Sequence, residues 1–230
     1  MILLFPAMVL ASLLGKVRGG NIIYDLCRLW ADLCLFFGMI PHTNIYEAPH
    51  NRNIPYIFVS NHISYFDIPV MMKAVRNQNF RILGKAEMTK IPIFGFIYKS
   101  AVVLVSRNDM VQRAKSVQVV KSVLRKKISV FICPEGTFNM THKPLKSFYD
   151  GAFRIAIETQ TPIKPIIFLD SYDRLNYHNI FSLTPGRSRA VYLSETETKG
   201  LTLHDVANLR NIIYTQMEEA LLRYKASWIK

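Results

Sequence analysis

Short apolar runs recur along this chain, and each stops abruptly at a polar turn. Tyr56-Ile57-Phe58-Val59 halts at Ser60-Asn61-His62, Phe80-Arg81-Ile82-Leu83 runs into Gly84-Lys85-Ala86-Glu87, and the run 101–105 delivers Arg107. The run 128–133 ends in Pro134-Glu135-Gly136-Thr137-Phe138; two more cover 161–168, opened by prolines, and 188–193. Such runs read as strands, those at 56–59 and 128–133 as buried ones. Between them lie helical patterns at about 67–76, at 108–127 with Met110, Ala114, Val117, Val120 and Leu124 on one face, and at 147–160. Ser147-Phe148-Tyr149-Asp150 and Thr202-Leu203-His204-Asp205 look like capping boxes for that helix and for a last one. The alternation predicts an α/β fold: a mixed, largely parallel sheet flanked by helices, with its loops gathered at strand ends.

The first run matters because it leads into a histidine and an aspartate. His62 stands five residues before Asp67, where an apolar helical pattern opens with Ile68-Pro69. Five residues are about 500° of helix, so the two side chains cannot share a helical face. They meet only if His62 lies in the loop and Asp67 in the first helical turn. A neutral imidazole placed so accepts a proton on one nitrogen, while the carboxylate holds the other and stabilises the imidazolium. Taken alone, the same two residues more often serve as a strand end and a helix cap. No third ligand with metal-site spacing lies nearby, so no metal is expected.

The other strand ends carry polar groups as well. In Pro134-Glu135-Gly136-Thr137 a glycine between an acid and a hydroxyl lets backbone N–H groups approach a ligand closely. Arg107 can meet an anionic group or simply face solvent. The basic residues on the 108–127 helix read as a solvated face. Residues 42–54 read as a polar linker, with His42 and His50 as solvated loop residues.

Residues 1–15 carry no charge, yet fall short of the roughly 20 needed to span a bilayer as a helix. Lys16 and Arg18 follow this run, whereas a signal peptide has its basic residues in front. Residues 22–40 are apolar again, with Asp25, Arg28 and Asp32 on one helical stripe. The pattern predicts an N-terminal membrane-associated two-helix segment, 1–41, dipped into one leaflet ahead of a main domain, 42–230. A spanning first segment and a helical pair buried in the fold are the alternatives. Half of the 230 residues are hydrophobic and the net charge is +13, a combination suited to an anionic membrane surface. Nucleic acid is the other common partner of such charge, but no nucleic-acid-binding module is recognisable, so none is expected. Three cysteines without framework spacing fit a reducing compartment.

Asn61-His62 with Asp67, Arg107, Pro134-Glu135-Gly136-Thr137 and Thr161-Pro162-Ile163 come in an order that resembles the glycerolipid acyltransferase family over about residues 55–220. NHISYFD resembles that family's block of histidine, four residues and aspartate; SAVVLVSR, PEGT and TPIKPI resemble its second, third and fourth blocks. The apolar N-terminal pair resembles its membrane anchor. The resemblance implies an enzyme of phospholipid biosynthesis, membrane-associated at the cytoplasmic face of the inner or plasma membrane. It would move a fatty acyl group from a thioester, acyl-CoA or acyl carrier protein, to the free hydroxyl of lysophosphatidic acid. No cofactor is implied beyond that co-substrate. His62 would be the base and Asp67 its partner. Asn61, Lys85, Arg107, Glu135, Gly136, Thr137 and Lys146 would face the substrates, with Lys85 or loop amides as donors to the oxyanion. Transfer would be direct, and no G-x-S-x-G stands in the chain.

One position departs from the family. The third block generally continues with an arginine assigned to the acceptor's phosphate; here it is Phe138. An aromatic ring cannot make the bidentate contact of a guanidinium. Either Arg107, Lys143 or Lys146 substitutes, or the acceptor lacks a phosphate there, as a lyso-aminolipid or another lysolipid would. A lipid hydrolase, with His62 activating water or Ser64, and a non-catalytic membrane-binding module are the remaining readings.

Overall fold

The computed structural model describes residues 2–91, 94–105, 110–179 and 181–229. Among them seven strands form one sheet: β1 (His42–Tyr46), β2 (Ile57–Val59), β3 (Phe80–Lys85), β4 (Val103–Val105), β5 (Ser129–Ile132), β6 (Ile163–Phe168) and β7 (Ser188–Tyr192). Their spatial order is β1-β7-β6-β2-β5-β3-β4. Every neighbouring pair is parallel except β6 and β7. The mixed, largely parallel sheet is the one the apolar runs predict.

Helices cover both faces. The chain forms α1 (Phe5–Ser12), α2 (Gly20–Phe37), α3 (Asp67–Ala74), α4 (Phe94–Ala101), α5 (Met110–Arg125), α6 (Gly151–Thr159), the short α7 (Ser171–Arg174) and α8 (Val206–Arg223). In β2, Ile57 and Val59 join one core with Val120 of α5, Phe153 of α6 and Ile213 of α8. Tyr56 and Phe58 join the opposite core with Met8, Ile23, Val70 and Ile97 of α1 to α4. Successive strand side chains thus alternate between two apolar layers, which is why the run contains no polar position.

The N-terminal helices are part of the second layer. α2 buries Ile23, Tyr24, Cys27, Ala31 and Leu35, while α1 buries Met8 and Ala11. A π-helical turn over Gly15–Gly19 joins them. A Cβ on Gly19 would stand 2.1 Å from the Ala11 carbonyl oxygen, so only glycine allows this approach. Arg81 of β3 anchors the turn by donating to Asn21 Oδ1 (2.7 Å) and to the Val17 carbonyl (3.2 Å). Asp25, Arg28 and Asp32 share one stripe of α2 as expected: Arg28 pairs with Asp25 (2.6 Å), and Asp32 reaches Lys73 and Arg76 at α3. The outward face remains apolar: Leu10, Leu13, Phe36 and Phe37 are all exposed. Among the described residues no helix is long and apolar enough to cross a membrane.

Several local expectations are corrected. Residues 42–46 are not linker but the edge strand β1, paired in parallel with β7. His42 is half-buried, with Nδ1 3.0 Å from Ser188 Oγ and Nε2 2.9 Å from Asn44 Oδ1. His50 packs among Tyr46, Tyr56, Phe58 and Tyr192, and burial pushes its pKa down to about 4. The helix expected from 147 begins at Gly151 with Asp150 at its N-cap, and the residues before it run alongside the turn after β5, where the Tyr149 N–H donates to the Pro134 carbonyl (3.0 Å). Ala101 closes α4, which shortens the strand expected over 101–105. The Thr202–Asp205 capping box forms as expected.

Candidate active site

β2 and β5 lie side by side in the middle of the sheet, in parallel, with Val59 opposite Ile132. Parallel neighbours deliver the residues after them to the same edge, the usual place for a site in an α/β sheet. His62 comes after β2 there, and Glu135 after β5.

His62 Nδ1 lies 2.9 Å from Asp67 Oδ2. The same oxygen accepts the backbone N–H groups of Ile63 (2.8 Å) and Ser64 (2.9 Å). Asp67 is the first residue of α3 and its side chain is fully buried, whereas the His62 side chain keeps 25% of its surface exposed. A carboxylate can only accept, so Nδ1 carries the hydrogen and Nε2 is left with its lone pair. Loop and first helical turn are where the five-residue spacing requires the two to be.

The main chain of His62 is held as firmly as its ring. Its N–H donates to Glu135 Oε1 (2.8 Å) and its carbonyl accepts from the Asn139 N–H (2.7 Å). The second oxygen of Glu135 accepts the Lys146 N–H (2.9 Å). Glu135 is 1% exposed, and burial raises its pKa to about 8 against the pull of these two donors. Asn61 is equally buried: its Nδ2 donates to the Phe168 carbonyl (3.0 Å) and its Oδ1 accepts the Phe168 N–H (2.8 Å). An amide side chain here stands in for a peptide group, continuing the pairing of β2 with β6 past the end of β2. Glu135 and Asn61, expected at the substrate, have their polar atoms engaged by main chain, contacts that hold the His62 loop between its neighbours.

Asn139 carries no motif, yet it is fully buried and organises the next loop. Its Nδ2 donates to the Lys143 carbonyl (2.9 Å) and its Oδ1 accepts from the Thr141 N–H (3.0 Å) and hydroxyl (2.6 Å). The signal for it is local: an Asn with a threonine two residues on whose N–H it captures, an Asx-turn pattern.

Gly136 adopts φ +70°, in the left-handed region that favours glycine, and turns the chain towards Thr137 and Phe138. Thr137 is exposed and its hydroxyl accepts from Lys146 Nζ (2.7 Å). The Phe138 ring stands edge-on to His62, centroids 4.4 Å apart, and edge-on to Tyr65 at 4.7 Å. Where the family's block has a cation, this chain has an aromatic wall against the imidazole. Lys85 closes β3, but its side chain, like Arg107 as a whole, falls outside the described residues.

Two other groups near the site are chemically quiet. Ser64 is fully buried; its hydroxyl donates to the Leu175 carbonyl and accepts from the Phe66 N–H. Cys133 lies 3.5 Å from Ser60 Oγ, and burial pushes its thiol up to about 12, leaving no thiolate to act as a nucleophile at neutral pH. Among the described residues no group of three His, Cys, Asp or Glu side chains could hold a metal ion.

The chain is similar to known acyltransferases in sequence and in fold. A family model described as Acyltransferase matches residues 42–169. Human 1-acyl-sn-glycerol-3-phosphate acyltransferase beta is 28% identical over 233 residues, covering 96% of this chain and 80% of that one. The mouse alpha enzyme of the same name is 30% identical over 165 residues, 71% of this chain and 57% of its own length. Over the curated relatives it matches, the chain spans from 40% to 80% of their length. The crystal structure of the 1-acyl-sn-glycerophosphate acyltransferase PlsC from Thermotoga maritima superposes with a TM-score of 0.72 at 21% identity, covering 98% of this chain and 90% of that one. The shared fold extends through the N-terminal helices.

Proposed function

This chain belongs to the acyltransferase family, and on that premise we propose that it moves a fatty acyl group from an acyl thioester to the free hydroxyl of lysophosphatidic acid, giving phosphatidic acid. His62 Nε2 takes the hydroxyl proton as the oxygen attacks the thioester carbonyl. Asp67 stabilises the imidazolium so formed. The tetrahedral intermediate then collapses, the C–S bond breaks, and the departing thiolate of coenzyme A or acyl carrier protein recovers the proton. Neutral His62 is restored and no acyl-enzyme forms. General-base catalysis of this kind contributes about 10² to 10⁴ in rate. The observation that supports this reading most is the 2.9 Å contact between a partly exposed imidazole and a fully buried carboxylate. The engaged hydroxyl of Ser64 argues against a serine-dependent hydrolase.

The substrates are amphiphiles, and the outward apolar face of α1 and α2, beside Lys16 and Arg18, suits an anionic leaflet. Burying roughly 400 Å² there would give about 10 kcal/mol before entropy costs. Phe138 favours a second acceptor reading, a lyso-aminolipid without phosphate at that position. Thiol release from acyl-CoA by the purified protein separates these readings. Release that depends on lysophosphatidic acid is expected. Release without any acceptor would indicate hydrolysis, turnover with a lyso-aminolipid alone would favour the second acceptor, and no release on any combination would overturn the proposal.

A further inference from the structure

A groove of about 560 Å³ opens beside Lys146, and cations reach it from two elements: Lys143 and Lys146 from the loop after β5, and Arg210 from α8. They are not equivalent. Arg210 is already paired with Asp150 at 2.7 Å. Lys146 is half-buried, and its ammonium is steadied at 2.7 Å by the neutral Thr137 hydroxyl. Among the described residues it forms no ion pair. An ammonium held in place without an ion pair, with the buried Glu135 the acid that its charge acts on, has donors left for an anion. It is also tied to the base: Lys146 and His62 both donate their N–H to the Glu135 carboxylate, at 2.9 and 2.8 Å. Lys143 is exposed at the outer side of the same loop, its carbonyl held by Asn139 and by the Trp228 indole (3.1 Å).

We propose that Lys146, backed by Lys143, binds a phosphate group of the substrate, specifically the phosphomonoester of the acceptor, in place of the guanidinium that Phe138 replaces. The inference rests on the acyltransferase reading and adds the group that recognises the acceptor. Phe138, its ring against His62, then serves as an apolar wall of the site rather than as a phosphate ligand. A lysine is a point charge without the planar fork of arginine, so it fixes the phosphate's position but not its orientation. Headgroup selectivity should therefore be looser than a guanidinium would give. The other source of a phosphate is the nucleotide of coenzyme A, and the two are separable.

The test compares wild type with Lys146→Met and Lys146→Arg, whose main-chain bond to Glu135 is untouched by either change. Acceptors are lysophosphatidic acid and monoacylglycerol; donors are acyl-CoA and acyl-pantetheine, which has no nucleotide. Glycerol 3-phosphate serves as a competing ligand. Lys146→Met is expected to raise KM for lysophosphatidic acid at least tenfold more than for monoacylglycerol, with either donor, and to weaken inhibition by glycerol 3-phosphate about tenfold. Lys146→Arg should keep most of the affinity, and Phe138→Arg added to Lys146→Met should restore part of it. An equal effect on both acceptors, or an effect that vanishes with acyl-pantetheine, would overturn the assignment. Wild type that never turns over lysophosphatidic acid would instead defeat the acceptor reading itself, and the inference with it.

Discussion

Asp67→Asn isolates the charge behind the proposed base. With its amide oxygen where Oδ2 now lies, the asparagine can still accept from His62 Nδ1–H and from the Ile63 and Ser64 N–H groups. The negative charge is lost, and the NH2 takes the place of Oδ1, a buried atom without a partner, which lowers stability but leaves the contact to His62 intact. Opposite charges about 4 Å apart, at an effective dielectric constant near 20, attract by about 4 kcal/mol. This attraction is absent while His62 is neutral and arises as it takes up the proton, so its loss falls on the transition state rather than on substrate binding. About 4 kcal/mol corresponds to about three decades in rate. The assay is thiol release at saturating acceptor and donor, read as kcat, alongside the thermal midpoint. A fall of about 10³ in kcat with little change in acceptor KM is expected. Should the amide turn its NH2 towards the two buried N–H groups, the clash would cost about 1–3 kcal/mol more and show as a further drop in the midpoint. A kcat within fivefold of wild type, in a protein that stays folded, would refute the reasoning.

Other substitutions probe the supports. Asn61→Ala would strip the Phe168 N–H and carbonyl of their side-chain partners and should lower stability by about 2–4 kcal/mol, read as a drop in urea midpoint; an unmoved midpoint would contradict the positioning role. Glu135 makes stability pH-dependent: burial raises its pKa from 4.5 to about 8, so the folded state keeps a proton that the unfolded chain releases in that window. Its contribution is complete below pH 4.5 and is lost as the pH rises through about 8; Glu135→Gln should flatten the slope between pH 5 and 8, and parallel wild-type and variant curves would exclude the raised pKa. Phe36 and Phe37 are each 76% exposed, so changing both to serine should spare the thermal midpoint. Binding to vesicles containing anionic lipid should weaken at least 100-fold, at about 1.5–3 kcal/mol per ring, and undiminished co-sedimentation would remove α2 from the membrane contact.

The sheet was legible because its central strands are buried on both sides and so leave continuous apolar runs. β1 was not, since His42-Thr43-Asn44-Ile45-Tyr46 is an edge strand whose identity comes from pairing with β7, far along the chain. His50 read as solvated for the same reason: the rings around it arrive from β1, β2 and β7. The His62–Asp67 pair was legible because its five-residue separation is a local geometric condition. The settings of Glu135 and Asn61 were not, because burial depends on which strand lies next to which. An acid beside a glycine suggests a ligand-facing turn, but the parallel neighbour β2 brings the His62 N–H to that acid first. Residues 147–150 matched a capping box by type, but the helix is entered at Asp150, and the preceding residues are held against the turn after β5 through the Tyr149–Pro134 bond.

The hold on His62 comes from the main chain and from buried side chains of the loop after β5, while the side chains of Thr137, Phe138 and Lys146 remain free to vary around it. Under the proposed roles, reaction and recognition are separated within a dozen residues. On that reading the accepted headgroup can change through these three side chains alone, while the His62–Asp67 pair beneath them keeps its registration.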